Sequence, residues 1–265
     1  MSGPRTSVLT TIYDRPYRVL RNTLHQLRRN DLTNTEIIVV DDGSTKDYGQ
    51  IRDYLTQYEM PFKWITINRE NYPFEPYSID GLNNPAFAWN TALDAAQGEI
   101  IVCLASDCMI PPNALKHAKT PGRSVWMSGV VDMDTGVEFL GRGRLAPYGW
   151  FMSWNREYHD IRWDLEFLRG IDYDDNDFTA RLALSSKRID IDLGITAFHQ
   201  SHPKTAYSDG HRGHDINERY TWKKWGGVPW AGNEYDPLEI KQARENHLYV
   251  LHVERKPQAK AKVTA

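Results

Sequence analysis

Acidic side chains gather at three places in this chain where they could act together. Residues Glu36-Ile-Ile-Val-Val-Asp41-Asp42-Gly43-Ser44 run from an apolar stretch into two carboxylates and a turn. Residues Gly98-Glu-Ile-Ile-Val-Cys-Leu-Ala-Ser-Asp107 do the same and end on a single carboxylate. A third cluster follows, Asp172-Tyr-Asp174-Asp175-Asn176-Asp177-Phe178. Carboxylates brought to one crevice are suited to hold a divalent cation and, through it, the phosphates of a nucleotide. His199 and His202, three residues apart, add nitrogen donors, and seven of the nine histidines lie beyond residue 158. Closely spaced carboxylates also repel one another, which suits a general base working near neutrality. The Asp174–Asp177 cluster is equally the composition of a helix start matched to the macrodipole.

Such residues need a scaffold, and the first half of the chain alternates regularly. Ser7–Tyr13 reads as a strand, and Asp14-Arg-Pro16 supplies a cap and a first-turn proline. Tyr17, Leu20, Leu24 and Leu27 recur at helical spacing to about Arg29. Strands are predicted at Glu36–Val40, Phe62–Ile67 and Glu99–Leu104, and helices at Tyr48–Glu59 and Pro85–Gln97. Short apolar strands alternating with helices imply a doubly wound, mostly parallel sheet, whose ligands bind beyond the C-terminal strand ends. The second half is less regular. Strands are predicted at Ser124–Asp132, Val137–Leu140, Phe151–Trp154 and Arg188–Ile195, with Asp134-Thr-Gly136 as a hairpin turn. Helices are predicted at Asp175–Ser186, near Asn217–Trp225 and at Pro237–His247. The expectation is one α/β domain over residues 1–254. Residues 5–120 would form its nucleotide-binding half and 121–254 its acceptor half, with a mobile basic tail at 255–265.

Composition narrows the classes. At 265 residues, 40% hydrophobic and 25% charged, the chain has enough apolar material for a full core. A formal charge of -3 carries no electrostatic footprint for nucleic acid or anionic membrane at the level of the whole chain. The first residues lack the apolar core of a signal peptide, and the longest apolar runs are far shorter than the roughly 20 residues that span a bilayer. Cys103 falls within a predicted strand and Cys108 follows it, so a disulfide would break the strand and a reducing, cytoplasmic setting is expected. Nine tryptophans and 14 tyrosines are enough to furnish a stacking surface for sugar rings or bases. Trp150 and Trp154, after a glycine-rich loop, are candidates for it and would otherwise be core. No His-Glu-x-x-His helix or cysteine set points to a zinc hydrolase, and no Gly-x-Ser-x-Gly turn to covalent catalysis.

The order of these pieces resembles family 2 glycosyltransferases of the GT-A fold. The resemblance rests on Ser7-Val-Leu-Thr-Thr-Ile-Tyr-Asp-Arg-Pro16, Glu36 to Thr45, Ala88-Trp-Asn90 and Gly98-Glu-Ile-Ile. It continues through Ile161-Arg-Trp-Asp164, Tyr173-Asp-Asp-Asn-Asp-Phe178, Arg181-Leu182, His199-Gln-Ser-His-Pro203 and Lys223-Lys-Trp-Gly226, so it spans roughly residues 7–226. It implies transfer of a sugar from a nucleotide-sugar donor, UDP-linked, to an acceptor hydroxyl by an inverting single displacement assisted by Mn2+ or Mg2+.

The resemblance also distributes roles. Asp42 would accept the imide N–H of uracil while Asp41 supports the turn, although both could simply cap the loop. Thr11 and Tyr13 would line the same pocket, and Asn90 joins the donor-binding set. The family's metal strand ends Asp-x-Asp, with the last aspartate on the ion. This chain has Ala105-Ser106-Asp107 there, so the first carboxylate is missing. Asp107 keeps the ligating position, and Ser106 can assist weakly or bind a ribose hydroxyl. The ion would then lean on diphosphate, water and a histidine, His202 slightly ahead of His199. Asp175, the second acid of its cluster, takes the general-base role, with Asp174 as its nearest rival and Asp177 as a cap or hydrogen-bond partner.

Two other readings compete. A nucleotidyltransferase would share the carboxylate logic, but it usually opens on a glycine-rich phosphate loop where this chain has Tyr13-Asp-Arg-Pro16. A degenerate, binding-only relative would fit the depleted metal motif but has no need of a positioned Asp175. The acceptor stays open among a glycan, a lipid-linked sugar, a small molecule, a protein and a modified DNA base. Arg142, Arg144 and the basic tail are the only handles for a polyanion.

Overall fold

A computed structural model describes residues 5–68, 85–119, 121–140, 150–157, 160–167, 173–186, 188–202, 211–229, 236–245 and 249–252. Arg142, Arg144 and the 255–265 tail lie outside them. The first half builds β1 (Thr6–Ile12), α1 (Tyr17–Arg28), β2 (Thr35–Asp41), α2 (Gly49–Gln57), β3 (Phe62–Thr66), α3 (Pro85–Ala95) and β4 (Ile100–Leu104). All its strand pairings are parallel: β1 lies between β2 and β4, and β3 adds outside β2. Val8 and Leu9 of β1, Ile37–Val40 of β2 and Ile101–Cys103 of β4 are fully buried, as strands covered on both faces must be. Helix α1 turns Val19, Leu20, Leu24 and Leu27 inward, and α3 presents the alanines 86, 88 and 92.

Gly98 is required where α3 returns to β4. A Cβ there would stand 2.5 Å from the Ser7 backbone nitrogen, closer than any side chain tolerates. The same close approach lets the Gly98 N–H donate to the Ser7 hydroxyl at 2.8 Å.

The second half adds β5 (Cys108–Met109), α4 (Ala114–Ala118), β6 (Val125–Asp132), β7 (Glu138–Leu140) and β8 (Phe151–Asn155). It continues with α5 (Asp174–Ser186), β9 (Ile189–His199), α6 (His211–Trp225), α7 (Leu238–Glu245) and β10 (Tyr249–His252). The main path of the sheet runs β10-β9-β6-β8-β4-β1-β2-β3, with β5 on β9 and β7 on β6. Strand β8 is antiparallel to both β4 and β6, whereas β6, β9 and β10 are parallel to one another. The mostly parallel α/β sheet is thus as expected, with β8 joining its two parallel blocks. No helix among the described residues is long and apolar enough to cross a membrane.

Several boundaries differ from expectation. The alternating pattern of β9 stops near Ile195, yet the strand continues to His199, because β6 carries it on: past a register shift, Thr196–His199 pair with Gly129–Asp132. His199 is therefore the last residue of the strand. The short strands β5 and β10 exist through their partners and were not anticipated. Helix α6 starts at His211, earlier than predicted, and α4 starts at Ala114, after Asn113 at φ 69°. Asp14 does not cap α1. The cap position is Pro16, which makes no side-chain bond. Asp14, at φ 43°, accepts from the Thr45 N–H at 2.8 Å, the Thr45 hydroxyl at 3.0 Å and the Lys46 N–H at 3.1 Å. It ties the loop after β1 to the loop after β2.

Candidate active site

The C-terminal ends of β1, β2 and β4 open into one crevice, lined among others by Thr11, Tyr13, Arg15, Asp42, Ser106, Asp107, Trp150, Asp174 and Asp175. The two acids after β2 part company. Asp41 accepts from the Ser44 N–H at 3.0 Å, and Gly43 takes φ 72°, so Asp41 holds the turn. Burial pushes the Asp41 carboxyl up, against the bonds from Ser44. Asp42 is 3% exposed and lines the crevice with Thr11 and Tyr13 on the neighbouring strand end.

At the end of β4, Asp107 meets both histidines. His202 Nε2 lies 3.1 Å and His199 Nε2 3.8 Å from Asp107 Oδ2, and the three residues can offer ligand atoms all within 4.8 Å of one another. Gln200, between the histidines and 1% exposed, holds them there. Its N–H donates to the Asp107 carbonyl at 2.8 Å, and its amide donates to Val19 O at 3.0 Å and Thr23 Oγ1 at 3.1 Å. One carboxylate with two imidazoles is a mixed oxygen and nitrogen set that accommodates Mn2+ more readily than Mg2+, which prefers oxygen.

Arg15 completes this cluster and was read from sequence only as part of a helix start. Its Nη1 is 3.0 Å from Asp107 Oδ2 and also contacts His202, and its Nε donates to Ser106 Oγ at 3.1 Å. Burial alone would raise the Asp107 carboxyl, but the Arg15 guanidinium and the two imidazoles outweigh it and hold the group at about 2. Asp132 was missed as well. Its Oδ2 stands 3.3 Å from His199 Nδ1, placed there by the pairing of Asp132 with His199 across β6 and β9. The Thr135 N–H and hydroxyl bond its other oxygen and keep the carboxyl well below its ordinary range. A carboxylate on Nδ1 directs Nε2 toward Asp107 and away from the strand.

Trp150 stacks on His199, with centroids 5.4 Å apart and planes at 24°, and Phe139 meets it edge-on. Trp154 is not available to a sugar. At 1% exposure it packs against Phe178 and Trp163 in the core, because it points to the face of β8 that α5 covers. Asn90 is likewise occupied. Its amide donates to the Trp163 carbonyl and accepts the Trp163 N–H, both at 2.9 Å, so it clamps a backbone and does not line the crevice. The clamp sets Trp163 between Trp89 and Phe178 as an aromatic wall, stacked at 5.1 and 3.5 Å.

Asp174 and Asp175 start α5 after Tyr173 at φ 72°, and both line the crevice. Asp177, one turn in, is fully buried and faces the other way. It binds Arg181 at 2.8 Å, Lys224 at 2.6 Å and the Trp225 indole at 2.9 Å. Lys224 also bridges to Asp164 at 2.5 Å, and Tyr220 donates to Asp164 at 2.9 Å. The Trp163-Asp164 and Lys224-Trp225 pairs therefore fasten α5 from behind. They hold the helix start in place, and of these four side chains Trp163 also lines the crevice.

The fold is that of the GT-A glycosyltransferases. Residues 7–167 match the model of glycosyl transferase family 2, and the chain belongs to that family. It is 31% identical over 113 residues to EpsH of Bacillus subtilis (strain 168), a protein provisionally named a glycosyltransferase; the match covers 43% of this chain and 29% of EpsH. Among solved structures it is similar to residues 1–349 of S. aureus TarS in complex with UDP-GlcNAc. The TM-score is 0.62 at 17% identity, covering 92% of this chain and 72% of that one. It is also similar to the mannosyltransferase PcManGT from Pyrobaculum calidifontis in complex with GDP-Man and Mn2+. Here the TM-score is 0.56 at 18% identity, covering 93% and 70%.

Proposed function

We propose that this glycosyltransferase moves a sugar from a uridine diphosphate donor to an acceptor hydroxyl by an inverting single displacement. The observation that carries the reading is convergence: Asp42, Asp107 and the Asp174–Asp175 pair, from three distant stretches, line one crevice. Asp42 accepts the base N–H, with Thr11 and Tyr13 beside it, and Ser106 lies near the ribose. Asp107, His199 and His202 are the residues that would hold Mn2+ or Mg2+, and a bound ion would neutralise the charge that the leaving diphosphate acquires. Asp175 takes the acceptor hydroxyl proton as that oxygen bonds the anomeric carbon and the bond to the diphosphate breaks. Asp174 is the alternative base. Trp150 offers the stacking face. In this reading residues 5–120 bind the donor and 121–254 the acceptor. The two buried free thiols, Cys103 and Cys108, suit a reducing, cytoplasmic setting.

The reading is tested by calorimetry with UDP and GDP in the presence of Mn2+, followed by hydrolysis of a panel of nucleotide sugars, which requires no acceptor. UDP is expected to bind more tightly than GDP. Asp42→Ala is expected to lose about 1.5–3 kcal/mol, the worth of a charge-assisted hydrogen bond. Equal affinities for the two nucleotides, or an unaffected Asp42→Ala, would remove the base assignment. The anomeric configuration of the released sugar, read at once by NMR, decides between inversion and retention.

A further inference from the structure

We infer that Arg15 is a stand-in cation for the Asp107 site, which neutralises Asp107 until ion and nucleotide arrive and then moves onto the diphosphate, so that ion and donor bind together and not singly. The inference rests on the donor reading above and extends it to the order of binding.

The geometry leads there in three steps. First, Asp107 is the one carboxylate left in Ala105-Ser106-Asp107, and its Oδ2 is the oxygen that both histidines approach. Arg15 Nη1 occupies that same oxygen at 3.0 Å and contacts His202 as well. A divalent ion shared by Asp107, His199 and His202 would have to lie where the guanidinium lies, and two cations cannot share the place. Second, Asp107 is 8% exposed, so withdrawing Arg15 without a replacement would leave a buried charge uncompensated on one side and a stranded guanidinium on the other. An ion alone repairs only the first. A diphosphate repairs the second, because the planar fork of arginine matches phosphate oxygens. Third, the backbone of this residue is fixed, so the exchange asks only its side chain to move. The Arg15 carbonyl accepts from the Tyr48 hydroxyl at 2.7 Å, and Asp14 is locked to Thr45 and Lys46. The Arg15 side chain lines the same crevice as Asp42 and Asp107, the residues assigned to base and metal.

The charge balance follows from the missing carboxylate. A site with two carboxylates would attract an ion unaided. Here the arginine cancels the single carboxylate, and the nucleotide has to bring the negative charge.

The test is titration of the full chain with Mn2+, free ion followed by electron paramagnetic resonance, with and without UDP, for wild type, Arg15→Gln and Arg15→Lys. Wild type is expected to bind Mn2+ weakly alone and at least about tenfold more tightly with UDP. Arg15→Gln is expected to bind Mn2+ alone at least about tenfold more tightly than wild type, since the competing charge is gone. At saturating Mn2+ it should bind UDP about tenfold more weakly, having lost a charge-assisted phosphate contact. Arg15→Lys keeps the charge and should follow wild type with Mn2+ alone, which separates charge from any change in folding. If Arg15→Gln binds Mn2+ alone no better than wild type, including the case where neither binds, the stand-in role is overturned. If its UDP affinity is unchanged, the transfer to diphosphate is overturned. If wild type binds no UDP even with Mn2+, the donor reading falls and the transfer with it, while the comparison in Mn2+ alone still decides the stand-in role.

Discussion

Two neighbouring aspartates on one turn of α5 should separate fold from chemistry. Asp177 is fully buried and is bound by Arg181 at 2.8 Å, Lys224 at 2.6 Å and the Trp225 indole at 2.9 Å. Asp177→Asn keeps the volume but removes the charge and turns one oxygen into a donor facing donors. Breaking a buried ion pair costs about 3–5 kcal/mol. Arg181 and Lys224 are 26% and 25% exposed and can partly rehydrate, so the low end, about 3 kcal/mol, is expected. In a chain of 265 residues that corresponds to a fall in Tm of about 6–12 °C. Asp175→Asn, at the crevice, keeps the shape of the side chain and should lower Tm less than Asp177→Asn does, yet lower transfer by roughly 10²–10⁴-fold if Asp175 is the base. Differential scanning calorimetry and donor turnover per folded molecule, on both variants and on Asp174→Asn, decide it. A wild-type Tm for Asp177→Asn would refute the fastening role. Near-normal turnover of Asp175→Asn with collapse of Asp174→Asn would move the base by one residue, and no effect of either would leave the cluster a helix start.

Asp132→Asn replaces the acceptor at His199 Nδ1 with a donor, which drives the ring proton to Nε2 and blocks that nitrogen as a ligand. Mn2+ affinity in the presence of UDP is expected to fall about 10–100-fold, and an unchanged titration would show that His199 does not ligate. The Asp164 carboxyl is pushed up by burial but held below its ordinary value by Lys224, the Glu166 N–H and Tyr220. A depressed carboxylate stabilises the fold above its unfolded pKa and is lost as pH falls through its folded one. The Tm gap between wild type and Asp164→Asn should therefore persist near neutrality and close below about pH 4; a gap independent of pH would rule out the ion pair as its source.

Much of the donor half is legible in sequence because its signals are local. Apolar runs such as Glu36–Val40, bounded by turn residues and alternating with helical periods, dictate parallel strands, and a strand that ends Asp41-Asp42-Gly43 must deliver its acids to the sheet's C-terminal edge. Asp107 could be placed the same way. The length of β9, the strands β5 and β10 and the position of His199 were not legible, since each depends on a partner far away in the chain. The same holds for roles. Asn90 and Trp154 sit in motifs that suggest ligand contact, but only packing against Trp163 and Phe178 assigns them to the wall behind the crevice. Arg15 and Asp132 carry no local signal, for an arginine before a proline and an aspartate before a turn are ordinary. What sets them beside Asp107 and His199 is the crossing of loops after β1 and β4 and the register of β6 on β9. Composition and period determine which elements form and which ends carry charge. Which charges meet is a property of the closed sheet, because the contact free energy that selects each partner exists only after the chain has folded.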